Sequence, residues 1–300
     1  MSEAPKYTYT PADETKAFDE ITATLLSGKT AETPAKLLVT AGLQGSGKTY
    51  LLEKTLLPSR RYDNYVRLYL PEYREKHPKY EGMIKLGVLH AYEHTEAFVR
   101  ELGARIFTEA TTRQYNIIME CAFDSIEFAK LATFTPGYQL EAHIVACNQP
   151  FAHISSIKRA LKSLENKELE RFVSHSALET SMCNAQAIIL AFETLAKTQS
   201  GSQIYLYERG LGALNERTSR AHSTYTKDAQ GELTVTSITA KYSYSAYAAI
   251  SNSPVYTPQE RDELVKECHQ SLLKTGTHAR EVPDFVYNDL YAYIVKYVYR

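Results

Sequence analysis

The segment Gly42-Leu43-Gln44-Gly45-Ser46-Gly47-Lys48-Thr49 fills the pattern GxxxxGK[ST], with the apolar run Lys36 to Ala41 before it and the helical spacing of Tyr50 to Leu57 after it. A strand that turns through glycines into a helix wraps backbone N–H groups around a polyphosphate. The following helix aims its positive end at the same anion. Gly42, Gly45 and Gly47 free the turn, and Leu43, Gln44 and Ser46 complete the ring of N–H donors. Lys48 would bridge the terminal phosphates, and Thr49 would give its hydroxyl to Mg²⁺. ATP and Mg²⁺ are the expected cofactors.

Around this loop the chain alternates strand and helix patterns. Short apolar runs at Lys36 to Ala41, Val66 to Leu70, Tyr115 to Met119, Ala142 to Ala146 and Ile204 to Tyr207 have the make-up of parallel strands buried on both faces. Helical spacing fills the gaps over Tyr50 to Leu57, His90 to Ala110, Ile154 to Leu164 and Ala177 to Leu195. The order predicts an α/β fold, with a mostly parallel sheet between two helical layers. A leading helix is expected over residues 10 to 26, where Thr10 caps and Pro11 and Asp13 suit the first turn. Beyond about residue 210 the pattern changes. Tyr225 to Tyr247 alternates around Ala229-Gln230-Gly231-Glu232 as a hairpin would, and helices follow over Pro258 to Lys274 and from Asp284 onward. Three parts are therefore expected: residues 1–34 as helix and linker, 35–210 as the core, and 211–300 as an extension packed on it.

Thirty-four basic and 35 acidic residues leave a net charge of -1, which gives no call for a nucleic-acid partner. No window approaches 18 uncharged apolar residues, and the first residues lack an apolar segment behind a positive one, so a cytoplasmic protein without membrane contact is expected. Cys121, Cys147, Cys183 and Cys268 lie far apart, which suits buried reduced thiols. His90 and His94 share a helix face but lack a third ligand for zinc. Neither a guanine-reading NKxD nor the Asp-containing box that ends the third strand of motor ATPases is present, which leaves a kinase-like reading of the loop, and without a GxSxG elbow a hydrolase has no support.

In such kinases the acceptor lies beyond the strand ends. There, Leu68-Tyr69-Leu70-Pro71-Glu72-Tyr73-Arg74, with His77-Pro78 and Tyr80 after it, resembles the second-strand motif of the zeta toxin family, Asp-x-Phe/Tyr-Arg followed by His-Pro and Tyr. His94-Thr95-Glu96-Ala97-Phe98-Val99 is similar to that family's next helix, Tyr115-Asn116-Ile117-Ile118-Met119-Glu120 to its third strand, and Gly137-Tyr138-Gln139-Leu140 to the approach to its fourth. Ile204 to Arg209 resembles the last core strand, and Arg159 and Arg171 fall where the family carries two phosphate-clamping arginines. The resemblance covers about residues 36 to 210. It implies a P-loop kinase fold and transfer of the ATP γ-phosphate to UDP-N-acetylglucosamine or a similar nucleotide or nucleotide-sugar. It also implies an antitoxin protein as partner.

Two departures stand out. Pro71 occupies the place of the family's catalytic Asp, and Glu120-Cys121-Ala122-Phe123-Asp124 stands where the family reads Glu-Gly-Thr with an arginine soon after. Proline accepts no proton, so a kinase here needs another base, either Glu72 or Asp124. Lys48, Arg159 and Arg171 are the expected stabilisers of the transferred phosphoryl, with Glu120 and Arg74 on the acceptor or Mg²⁺ side. The alternative is a catalytically degenerate ATP-binding protein that acts through partner binding, with the tyrosine-rich tail as its surface.

Overall fold

The computed structural model describes residues 7–253 and 256–298. Within strand β1 (Lys36–Ala41), Leu37, Val39 and Ala41 join one apolar cluster and Leu38 another, and all four are buried. Successive side chains of a strand point to opposite faces, so these two clusters lie on the two sides of the sheet. Fully burying a leucine or valine contributes about 1.5–3 kcal/mol. This accounts for the unbroken apolar run that precedes the glycines.

Seven strands form the sheet in the order β2-β3-β1-β4-β5-β6-β7: β2 (Tyr65–Arg67), β3 (Asn116–Cys121), β4 (Gln139–Cys147), β5 (Ser202–Arg209), β6 (Thr218–Lys227) and β7 (Leu233–Ile238) complete it. The first five are parallel, with Val39 of β1 beside Met119 on one neighbour and Ala142 on the other. β6 and β7 add antiparallel, so the sheet runs on from β5 without a break. The larger cluster lies under α1 (Pro11–Leu25), α4 (Val88–Thr112), α6 (Gln149–Asn166), α7 (His175–Thr198), α9 (Pro258–Thr277) and α10 (Asp284–Val298). The smaller lies under α2 (Lys48–Leu51), which continues as a π-helical turn over Leu52–Leu56. The fold is the expected α/β arrangement of a mostly parallel sheet with helices on both faces. The smaller layer stops short of β5 and β6, where Tyr205 stacks between His143 and His222 at ring separations of 4.4 and 4.0 Å. Among the described residues no helix is long and apolar enough to cross a membrane.

The local chemistry explains most boundaries. Thr10 and Asp13 form a reciprocal cap on α1: Asp13 donates its backbone N–H to Thr10 Oγ1, and its carboxylate accepts from the Thr10 N–H at 2.8 Å. In α4, Phe98, Leu102 and Ile106 recur every four residues and are buried. The short α3 (Tyr80–Ile84) and α5 (Leu131–Phe134) lie in the connections around β2 and β3.

Three expectations need correction. The second strand does not run from Val66 to Leu70. It ends at Arg67, Tyr69 turns left-handed (φ 59°), and Pro71 starts a 3₁₀ turn over Pro71–Lys76, since proline has no N–H to give a ladder. The hairpin does not reach Tyr247. Its turn is closed by Asp228, whose carboxylate accepts from Gln230 and Glu232 N–H at 2.9 and 2.8 Å, and after β7 the chain enters α8 (Tyr244–Ser251), capped by Ser243. Of the four cysteines, Cys183 is exposed; the other three are buried free thiols.

Candidate functional site

The loop between β1 and α2 is held from three sides. Gly42 N–H donates to the Cys121 carbonyl of β3 at 3.0 Å, and Ser181 of α7 donates to Gln44 Oε1 at 3.3 Å. Arg209, at the carboxyl end of β5, donates Nη1 to the Gly45 carbonyl and Nη2 to Ser155 Oγ of α6 at 2.8 Å. Gly45 needs to be glycine on two counts: its φ is +82°, and a Cβ there would run into the Ala152 carbonyl oxygen. With its carbonyl taken by Arg209, the segment Gly45 to Lys48 is held in one shape. Ser46 Oγ and Arg209 Nε are buried at this point without hydrogen-bond partners among the described residues.

Lys48 and Thr49 open α2. Lys48 is only 7 % exposed. Burial pulls its ammonium below the usual lysine range; the Glu120 carboxylate opposes that pull, and the charge of Arg159 adds to it. Thr49 Oγ1 donates to Glu120 Oε2 at 2.5 Å, and Arg67, from the end of β2, reaches Glu120 Oε1 at 3.5 Å and Glu53 at 3.0 Å. A hydroxyl and a carboxylate, both hard oxygen donors, meet beside the loop. That pair fits Mg²⁺, which takes one or two carboxylates and completes its shell with phosphate and water. Among the described residues no group of three His, Cys, Asp or Glu side chains could hold a metal without such help, and His90 and His94 pack edge-on against each other at 4.3 Å.

The strand ends supply the facing wall. After β3, Phe123 is left-handed (φ 60°), and its carbonyl accepts from Asn184 Nδ2 of α7 at 3.0 Å. This bend presents Asp124, which pairs with Arg171 at 3.3 Å and lies 3.8 Å from Arg100. Arg171 also stands 5.6 Å from the Tyr92 ring centroid. Arg159, near the middle of α6, pairs with Glu170 at 2.6 Å. Both arginines are partly exposed, so each can exchange its carboxylate for a phosphoryl oxygen.

Arg74 and Glu72 stand differently toward this cluster, for Arg74 shares the Tyr92 ring with Arg171 and the Glu96 carboxylate with Arg100. Arg74 is 7 % exposed and turned into α4: Nη1 donates to the Tyr92 carbonyl and Thr95 Oγ1, each at 2.9 Å, and Nη2 to Glu96 at 2.6 Å. Its guanidinium also lies 3.7 Å over the Tyr92 ring. These bonds join the second-strand motif to the helix that follows it, and they occupy both terminal nitrogens. Glu72 is exposed on the 3₁₀ turn beside Pro71. The sequence pattern alone did not point to the contacts of Arg209 with the loop, of Gln44 with Ser181, or of Arg100 with Asp124. An arginine that ends an apolar strand is the one cue to Arg209.

Comparison with known proteins agrees with this geometry. The zeta toxin family profile matches residues 21–230. No curated protein matches the sequence. Among solved structures, one from the PezAT chromosomal toxin-antitoxin system of the human pathogen Streptococcus pneumoniae is similar at a TM-score of 0.58 and 14% identity, over 88% of this chain and 98% of that one. The native AvrRxo1-ORF1:-ORF2 complex is similar at 0.57 and 14%, over 95% and 89%, and the same pair of proteins with ATP at 0.54 and 11%, over 94% and 88%. At these identities the likeness is one of fold. The profile match covers more than two thirds of the chain in sequence, and on that ground the protein belongs to the zeta toxin family.

Proposed function

We propose that this protein is an ATP-dependent small-molecule kinase that transfers the γ-phosphate of ATP to a hydroxyl of a nucleotide or nucleotide-sugar such as UDP-N-acetylglucosamine. The observation that carries this reading is the convergence of buried Lys48, the Thr49–Glu120 pair and the Asp124–Arg171 pair around one glycine loop. An ATP-bound solved structure of similar fold supports ATP as the donor. The loop N–H groups and Lys48 would bind the β- and γ-phosphates, and Thr49 and Glu120 would hold Mg²⁺, which supplies charge neutralisation. Arg159 and Arg171 would leave their carboxylates to bind the oxygens of the transferring group. Release of Arg171 frees Asp124 to accept the acceptor hydroxyl's proton, whereas Glu72 would have to turn in from solvent. The family and the complexes among similar folds support an antitoxin partner, and the charge balance disfavours nucleic acid; a cytoplasmic setting is part of the same proposal.

Incubation of the protein with γ-labelled ATP and a bacterial metabolite extract, followed by mass spectrometry, tests the reading. A labelled metabolite is expected that a Lys48→Ala control does not make. Equal labelling in both would overturn it. A second reading, an ATP-binding protein without transfer, draws on Pro71 and on the engagement of Arg74 with α4. It predicts that Mg-ATP raises the melting temperature of the wild type with no labelled product. Such a ligand stabilises by about 2.7 kcal/mol at 100 times its dissociation constant.

A further inference from the structure

Two aromatic residues, Tyr69 and Phe123, stand on left-handed backbone, at φ 59° and 60°. They follow β2 and β3, neighbouring parallel strands, at the end where the acceptor lies in the proposed reaction. Bulky side chains avoid this conformation, and where it persists it gathers at functional sites. Phe123 is fully buried, and its bend presents Asp124. Tyr69 is 40 % exposed, so its bend brings a ring to the surface of the crevice.

Gly103 of α4 makes room for that ring, since a Cβ there would run into the Tyr69 side chain, its nearest neighbour. Arg100 lies three residues earlier on the same helix face. Its Nε donates to Glu96 Oε1 at 2.9 Å, whereas its Nη2 stands 3.8 Å from Asp124, too far for a hydrogen bond, and the side chain is 51 % exposed. The Tyr69 phenol feels both neighbours: burial raises its pKa, the Arg100 charge lowers it and Asp124 raises it again. Around this point Arg74, Arg100 and Arg171 face Glu96 and Asp124, three positive charges against two negative. The chain as a whole carries -1, so positive charge is gathered here. Arg74 is held by α4 and Arg171 serves the transferring group in the proposed reaction, which leaves Arg100 for the acceptor.

We propose that Tyr69 and Arg100 form the acceptor seat, the Tyr69 ring stacking on a nucleobase and the Arg100 guanidinium holding a phosphate that the acceptor already carries. Gly103 is the positioning residue that lets the ring lie there. The seat rests on the kinase reading and gives its acceptor two points of recognition. Neither a phosphate-free nucleoside nor a sugar phosphate without a base fills both.

The labelled product made from γ-labelled ATP and a bacterial metabolite extract is the first test. Its mass spectrum should show a base and at least one phosphate besides the labelled one. A labelled product that lacks either overturns the seat and leaves the kinase reading standing; no labelled product from wild type overturns both. With the acceptor so identified, at saturating Mg-ATP, Tyr69→Ala and Arg100→Gln should each raise the acceptor KM about tenfold and keep the ATP KM within about twofold. Tyr69→Phe keeps the ring and should behave as wild type. Gly103→Ala favours the helix but pushes the ring aside, so the acceptor KM should rise without a loss of melting temperature. An unchanged acceptor KM in Tyr69→Ala and Gly103→Ala would remove the stacking role. A fall in kcat alone in Arg100→Gln would make that residue a counter-ion of Asp124. Either result overturns the seat.

Discussion

Thr49 Oγ1 and Glu120 Oε2 are 2.5 Å apart, and this one bond joins the first turn of α2 to the end of β3. The two residues are 71 positions apart in sequence, and the parallel pairing of β1 with β3 brings them together. Under the proposed function a nucleotide-bound metal would use the same hydroxyl, so its binding would redirect this bond.

From that relationship follows a metal-dependent effect. Thr49→Val and Glu120→Gln should each lower affinity for Mg-ATP by about tenfold or more while changing affinity for metal-free ATP much less. Titration calorimetry with Mg²⁺ and with EDTA measures the difference. An equal loss under both conditions would remove the metal role.

The base can be identified by paired substitutions. Asp124→Asn should lower kcat by more than about tenfold with ATP binding unchanged, because it keeps size and removes proton acceptance. Glu72→Gln should leave kcat within about twofold. Reversed results would assign the base to Glu72.

Arg209 is expected to act as a positioning residue for the loop. Lysine keeps the charge but cannot reach the Gly45 carbonyl and Ser155 together, and each charge-assisted bond contributes about 1.5–3 kcal/mol. Arg209→Lys should weaken ATP binding about tenfold while keeping a cooperative thermal transition. Unchanged affinity in a folded variant would reduce Arg209 to packing.

One buried histidine sets an acid limit on stability. His153 Nε2 donates to the Val173 carbonyl at 2.7 Å, so Nδ1 accepts from the Tyr293 hydroxyl at 2.8 Å and the ring is neutral. Burial lowers its pKa, against the opposing pull of the Val173 carbonyl and Asp289. The unfolded chain takes up the proton first, near pH ~6.5, so stability is full above that value and is lost as pH falls toward the lower folded pKa. Melting temperatures between pH 7.5 and 5 should drop more steeply for wild type than for His153→Gln. Parallel curves would exclude this histidine.

The fold was legible because its parallel strands, buried on both faces, leave unbroken apolar runs, and because Gly42 to Thr49 admits one strand–turn–helix context. The end of β2 was less legible, since Leu68 to Leu70 is apolar enough for a strand. Only the backbone reveals that Tyr69 turns left-handed to lay its ring against Gly103 of α4. Arg74 shows the limit for the site: its place after a strand does not tell that its guanidinium bonds Thr95 and Glu96 of α4. The contacts of Arg209 and Gln44 leave no local pattern, because their partners lie on other elements.

The bond from Arg209 to Gly45 spans 164 positions, which has a bearing on synthesis. A ribosome delivers the whole glycine motif early, but the guanidinium that fixes its shape emerges only after four more strands. Until then the nascent chain carries the nucleotide motif with its Gly45 carbonyl unheld. A fragment ending at residue 200 should therefore be poorly retained on immobilised ATP under conditions that retain the full chain, and equal retention would show that the loop sets its own shape.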